Sequence, residues 1–182
     1  MARDDGSMHT NGKMLIALAA LVVSHPAAAE PVYYDCDTPG GKYSEIMLTQ
    51  AEAAHRVRGT ITPMELRAAA DWFPTATVYV QSKDKRDLVS VQLMNRSGKT
   101  LAVSVSLVQS GKVRKAELGA IKINQAVPFD IYLSASGEGF VQLAGKKIPV
   151  GITLGAGAKV SVTCSSGHFR FDPLDWAWQQ LP

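Results

Sequence analysis

The chain has 182 residues, and its 19 Lys and Arg stand against 16 Asp and Glu for a formal charge of +3, with the cations scattered among acids and no dense run. That balance argues against a nucleic-acid partner, which calls for a basic domain or patch. No stretch reaches the roughly 20 apolar residues of a membrane span, so the mature form is not expected to be membrane-spanning.

Met14 to Val23 is an unbroken apolar run preceded by Lys13, and Ala27-Ala28-Ala29 supplies small residues for cleavage, the pattern of a secretory signal. Ser24-His25-Pro26 interrupts it too early for an anchor. Residues 1–29 are expected to be a cleavable signal peptide, with Met8 as an alternative start because Asp4 and Asp5 are unusual ahead of such a run. Residues 30–182 are then one periplasmic or secreted domain, since about 150 residues suffice for a single core. In an oxidising compartment Cys36 and Cys164, the only two cysteines, are expected to form a disulfide. Closing so long a loop contributes up to about 5 kcal/mol on the chain-entropy account. Zinc needs more ligands than two distant cysteines and the two histidines left after the leader, His55 and His168, so no metal or other cofactor is expected.

Val32 to Asp35 is a short extended segment that Thr38-Pro39-Gly40-Gly41 ends, and Ser44 to Leu48 is a candidate second strand. Thr49 to Ala54 is ambiguous. Arg56 to Thr62 alternates, with Val57, Gly59 and Ile61 on one face and Arg56, Arg58 and Thr60 on the other, the period of a half-buried strand. Thr62-Pro63-Met64-Glu65 has the spacing of a capping box with proline at the first helical position, which predicts one short helix from Pro63 to Ala70. Asp71-Trp72-Phe73-Pro74 stops it. Three strands follow on Ala76, Val78 and Val80, on Val89, Val91 and Leu93, and on Leu101 to Leu107, joined by loops at 83–87 and 95–98. Lys112 to Leu118 and a brief strand at Ile121 and Ile123 lead to Val127, Phe129, Ile131 and Leu133. Ser136-Gly137-Glu138-Gly139 turns the chain into Phe140 to Leu143, Gly145-Lys146-Lys147 breaks it, and Val160, Val162 and Cys164 alternate again. Ser166-Gly167 closes that strand before Phe169 and Phe171 open another. Ten to twelve strands at this spacing argue an all-β antiparallel sandwich of two sheets.

The closing stretch, with Phe129-Asp130-Ile131-Tyr132-Leu133, the glycine turn, Gly139 to Gly145 and Lys159-Val160-Ser161-Val162, resembles the last strands of concanavalin A-like sandwiches, the group of galectins and laminin-G domains. The resemblance covers about a third of the chain and implies a jelly-roll arrangement. The histidine, asparagine, arginine and tryptophan set of galectins has no counterpart beside His55, Arg56 and Arg58, so the fold is implied and the sugar site is not.

Catalytic chemistry is sparse. The carboxylates Asp130, Glu138, Asp172 and Asp175 are isolated or in turns, without the paired spacing of a glycoside hydrolase. Ser165, Ser166 and His168 lack a nucleophile elbow. The outward residues Thr77, Tyr79, Gln81, Ser90, Gln92, Ser104 and Ser106 make hydroxyl- and amide-rich surfaces instead. A ligand site is expected on Arg56, Arg58, Tyr79, Gln81 and Gln92, if these share one sheet face, with acidic glycans favoured by the arginines. Trp176 and Trp178 form either a stacking platform or a lid over the sandwich. The function expected is a non-catalytic binding module for a glycan, with a protein-interaction or structural role in the cell envelope, or a polysaccharide hydrolase or lyase, as alternatives.

Overall fold

The computed structural model describes residues 31–49 and 53–175. The leader and the Trp176 and Trp178 platform lie outside the described residues. Among the described residues there are ten strands and no helix: β1 (Val32–Thr49), β2 (His55–Leu66), β3 (Thr75–Gln81), β4 (Leu88–Met94), β5 (Thr100–Gln109), β6 (Lys112–Lys122), β7 (Val127–Leu133), β8 (Glu138–Leu143), β9 (Lys146–Gly151) and β10 (Lys159–Asp175). Among the described residues no helix is long and apolar enough to cross a membrane.

All pairings are antiparallel, along the path β6-β5-β4-β3-β10-β2-β7-β8-β9, with β1 on the other edge of β10. β10 organises this path because it changes partner midway. Residues 159–165 pair with β3 and residues 167–175 with β2, while β1 follows β10 along almost its whole length. The ribbon of β1 and β10 therefore belongs to two sheets, one continuing through β3, β4, β5 and β6, the other through β2, β7, β8 and β9. β4 packs over β7 and β5 over β8. This is the expected all-β, two-sheet antiparallel sandwich.

Alternation decides which side of each strand is buried. On β3, Ala76, Val78 and Val80 are fully buried while Thr77, Tyr79 and Gln81 are half-exposed. They meet Val89, Val91, Leu93, Leu101 and Val103 in the first sheet and face Val57, Ile61, Phe129, Ile131 and Val141 of the second. Each buried Val, Leu, Ile or Phe side chain among them contributes about 1.5–3 kcal/mol by leaving water.

Where the ribbon passes between sheets it must bend. Ser166 has a positive φ of 51°, and a Cβ on Gly167 would sit 2.5 Å from the Glu65 carbonyl oxygen, so only glycine fits. Opposite, the ladder slips between Thr38 and Tyr43, across Pro39-Gly40-Gly41. Thr38 Oγ1 donates to the Gly167 carbonyl at 3.0 Å, and Gly41 N donates to Ser166 Oγ at 3.0 Å. The expected disulfide joins buried Cys36 and Cys164 across this bend, with Cα atoms 6.2 Å apart.

Four expectations of local structure are corrected. The helix at Pro63 to Ala70 is absent, because residues 61–66 complete the ladder to β10 and the Pro63 carbonyl accepts from Asn124 N at 2.7 Å. An eight-residue helix is too short to offset that pairing, and the register shift beside Phe169 accommodates the N–H that proline lacks. Pro39-Gly40-Gly41 and Ser166-Gly167 interrupt no strand; each marks a bend inside a long one. The segments at Lys112 to Leu118 and Ile121 are one strand, with the ladder shifted near Gly119. Gly145-Lys146-Lys147, expected as a break, instead turns the chain into the edge strand Lys146–Gly151, where Pro149 is tolerated.

His55 is 2% exposed, and its Nε2 donates to the Gly155 carbonyl at 3.1 Å. Burial lowers its pKa, with the bond to Gly155 opposing.

Replacing Cys36 and Cys164 together by alanine should lower stability by up to about 5 kcal/mol on the chain-entropy account, read from urea unfolding; an unchanged midpoint would show that the bend holds without its crosslink. For His55 the unfolded chain takes up the proton first as pH falls below about 6.5, so stability is full above that value and declines below it until the folded histidine also titrates. The variant His55→Gln should lose less stability than the native chain between about pH 7.5 and about pH 5.5, a range set by the ordinary histidine pKa; parallel losses in both proteins would assign the decline to other groups.

Candidate functional site

The outer face of the second sheet gathers the side chains best arranged to hold a ligand. Register places Arg58, Asp130, Gln142 and Lys147 in one cross-strand row and Arg56, Tyr132, Phe140 and Pro149 in the next. Their strands bury the alternate positions Val57, Ile131, Val141 and Val150, which fixes the rows outward.

Tyr132 and Phe140 form a half-exposed aromatic shelf, with ring centroids 5.6 Å apart and planes tilted by 40°. Lys147 Nζ stands 3.9 Å above the Phe140 ring centre. Beside the shelf Arg56 donates two parallel bonds to Asp130, Nε to Oδ1 at 3.2 Å and an Nη to Oδ2 at 2.8 Å. That fork holds the Arg56 pKa above its ordinary value, against a smaller opposing effect of burial. Arg58 donates from Nε and Nη2 to one oxygen of Asp175, at 2.8 and 2.6 Å. Two clefts open on this face. One, of about 540 Å³, is lined by Arg58, Thr60, Asp130, Gln142, Asp175 and three prolines; the other, of about 620 Å³, by Tyr132, Ser134, Ser136, Glu138, Phe140 and Lys147. Both lie within the roughly 300–1,000 Å³ of small-molecule sites.

The five residues expected to share a face do not. Arg56 and Arg58 lie on β2 in the second sheet, whereas Tyr79, Gln81 and Gln92 lie on β3 and β4 in the first. Both arginines are also bonded to carboxylates, which removes the reason to favour acidic glycans there. On the first sheet Tyr79 donates to Glu45 at 2.8 Å, Gln92 donates to Thr77 at 3.4 Å, and Lys115 donates to Gln92 at 3.4 Å. Gln81 is half-buried opposite Leu88 and Lys159. Burial raises the Tyr79 pKa. The Ser161 hydroxyl below it is fully buried, near enough to bear on the phenol but without a partner of full hydrogen-bond geometry.

Asp130 and Tyr132 alternate with Phe129, Ile131 and Leu133, so their outward placement is legible in the sequence. That of Lys147 and Pro149 is not, because their segment lacks a clean period. Elsewhere Tyr43 and Trp72 stack at 6.4 Å with planes 7° apart, and both are exposed together with Phe73. His168 bonds to Asp35, while Ser165 Oγ donates to the Phe73 carbonyl and Ser166 Oγ accepts from Gly41 N. Among the described residues no three His, Cys, Asp or Glu side chains converge as a metal set.

No family model matches the chain, and no curated protein does. Among solved structures, an alginate lyase from Pseudomonas aeruginosa is similar with a TM-score of 0.52 at 16% identity, over 71% of this chain and 66% of that one. The chain thus spans just under two thirds of that lyase. The CBM2 module of the evolved Dit protein of Lactobacillus casei BL23 phage J-1 is similar with a TM-score of 0.52 at 8% identity, over 76% and 70%. A Caenorhabditis elegans galectin also matches, with a TM-score of 0.49 at 10% identity, over 80% and 96%. At these identities the likeness is one of fold alone.

The shelf depends on close approach of β7 and β8. A Cβ on Gly139 would fall 2.0 Å from the Tyr132 carbonyl oxygen. Gly139→Ala should therefore destabilise the fold by about 1–3 kcal/mol, the usual cost of forcing atoms into packed structure, with amide signals of Tyr132 and Phe140 shifting most in NMR spectra; an unperturbed spectrum would contradict this packing.

Proposed function

We propose that this chain is an exported, non-catalytic carbohydrate-binding module that holds uncharged glycans on the outer face of the second sheet. The observation that carries the reading is the Tyr132–Phe140 shelf set between two clefts and beside arginine–carboxylate forks. An aromatic face takes the apolar face of a sugar ring. Forks held in place present donors and acceptors in fixed planes, which suit vicinal hydroxyls without the cost of ordering them on binding. Because Arg56 and Arg58 are paired with Asp130 and Asp175, the face offers polarity with little net charge. Arg56 and Arg58 remain in the proposed site, and Tyr79, Gln81 and Gln92 stand apart as a second polar surface.

The fold is one that a carbohydrate-binding module and an alginate lyase also have, which supports a saccharide ligand at the level of fold. The Cys36–Cys164 disulfide supports export, with residues 1–29 as the signal and 30–182 as the domain. A second reading, a protein-interaction module of the cell envelope, draws on the exposed cluster of Tyr43, Trp72 and Phe73, since exposed aromatics anchor interfaces.

The test is calorimetric titration with a panel of neutral oligosaccharides. Tyr132→Ala and Phe140→Ala should each weaken binding about tenfold, equivalent to about 1.4 kcal/mol, with melting temperatures nearly unchanged. Binding that persists in the double variant, or a native chain that binds none of the panel, ends the reading, and shortening of the polymers would replace it with a lyase or hydrolase.

A further inference from the structure

We propose that the open side of the sandwich, where the edge strands β6 and β9 lie next to each other, is a second binding site that takes a linear polysaccharide bearing carboxylate or sulfate groups. This proposal does not rest on the neutral-glycan face.

Charge carries the argument first. β6 holds Lys112, Arg114, Lys115 and Lys122 with Glu117, and β9 holds Lys146 and Lys147. Six cations less one carboxylate give +5 on these two strands, while the entire chain carries +3. The fold brings the two groups together. β6 ends one sheet and β9 the other, Lys146 Nζ donates to the Leu118 carbonyl at 2.8 Å, and a narrow cleft of about 190 Å³ runs between Arg114 to Ala116 and Ile148 to Val150.

Compensation is the second observation. Among the described residues none of the six edge cations has a carboxylate partner; Lys42, Lys83, Lys85, Lys99, Lys159 and Arg170 share that property, but at the edge six such cations are gathered on two adjacent strands. Arg114 and Lys115 reach neutral glutamine oxygens at 3.4 Å, Lys147 the Phe140 ring, and Glu117 leans toward Arg96 at 4.0 Å. Mutual repulsion of unpaired cations is unfavourable, and a polyanion would relieve it.

Shape then selects the ligand. Apart from half-buried Leu118 and buried Ile121, β6 is exposed along its length, so Lys112, Arg114 and Lys115 at one end and Lys122 at the other span about 33 Å at the strand rise of roughly 3.3 Å per residue. A linear polymer with repeated charges fits a strip better than a single small anion does. Single-stranded nucleic acid is normally held by aromatic stacking as well as charge, and no aromatic lies on either strand. A membrane-surface element needs a broad apolar face, whereas on β6 the exposed large apolar side chain is Val113. Edge lysines also guard against strand-to-strand aggregation, and the experiment separates that role from binding.

Binding of polygalacturonate and of a sulfated glycosaminoglycan would be measured at low and at raised salt. The native chain should bind at least one, with affinity falling as salt rises. The variant Lys112→Gln, Arg114→Gln, Lys115→Gln, Lys146→Gln should lose at least tenfold, while a charge-matched control, with glutamine at Lys42, Lys83, Lys85 and Lys99, and the Tyr132→Ala, Phe140→Ala variant should keep most of the affinity. The proposal is overturned by no binding to either polymer, by equal loss in the charge-matched control, by tighter binding to anionic phospholipid vesicles or single-stranded DNA, or by an edge variant that only self-associates.

Discussion

β10 has to satisfy hydrogen bonds on both of its edges over seventeen residues while exchanging β3 for β2 in the middle, and most of the molecule follows from that. A strand serving two sheets can do so only if it bends without losing its ladder, and its companion β1 must bend at the same place. The bend is held covalently by Cys36–Cys164 and by the bonds of Thr38, Gly41, Ser166 and Gly167, in a region where an unpaired backbone group would be costly. Among the described residues the sheets end on β6 and β9, which lie next to each other, and on the outer edge of β1, which pairs with β10 alone.

The sequence showed the parts of this that depend on one strand at a time. Alternation in Thr75–Gln81 or Val127–Leu133 is a local consequence of the pleat, so the buried face of each strand, and the two-sheet class, were legible. Misreadings arose where local chemistry served a distant partner. Pro39-Gly40-Gly41 and Ser166-Gly167 have the composition of turns, yet the chain continues through them because each strand has a ladder waiting on the far side. Thr62 to Glu65 satisfies the capping rule, and β10 offers more hydrogen bonds than a single helical turn would.

The candidate site was half legible for the same reason. Arg56, Arg58 and Tyr79 were all correctly outward, but whether outward faces coincide depends on which sheet each strand joins, and that is decided by the exchange within β10. The clustering of charge was invisible for a stricter reason. Lys115 and Lys146 are far apart in the chain, and only the meeting of two sheet edges makes them neighbours.

The two surfaces differ in how their charges are compensated, and that difference limits what each can bind. On the outer face the arginines are held by carboxylates, so a charged ligand would have to compete with an internal ion pair, whereas an uncharged one uses the pair as it stands. At the open edge the cations lack such partners, and a neutral ligand would leave them as they were. Lys147 belongs to both, since it lies on edge strand β9 and stands over the Phe140 ring. A polymer lying along the edge would therefore compete with the Phe140 ring for Lys147.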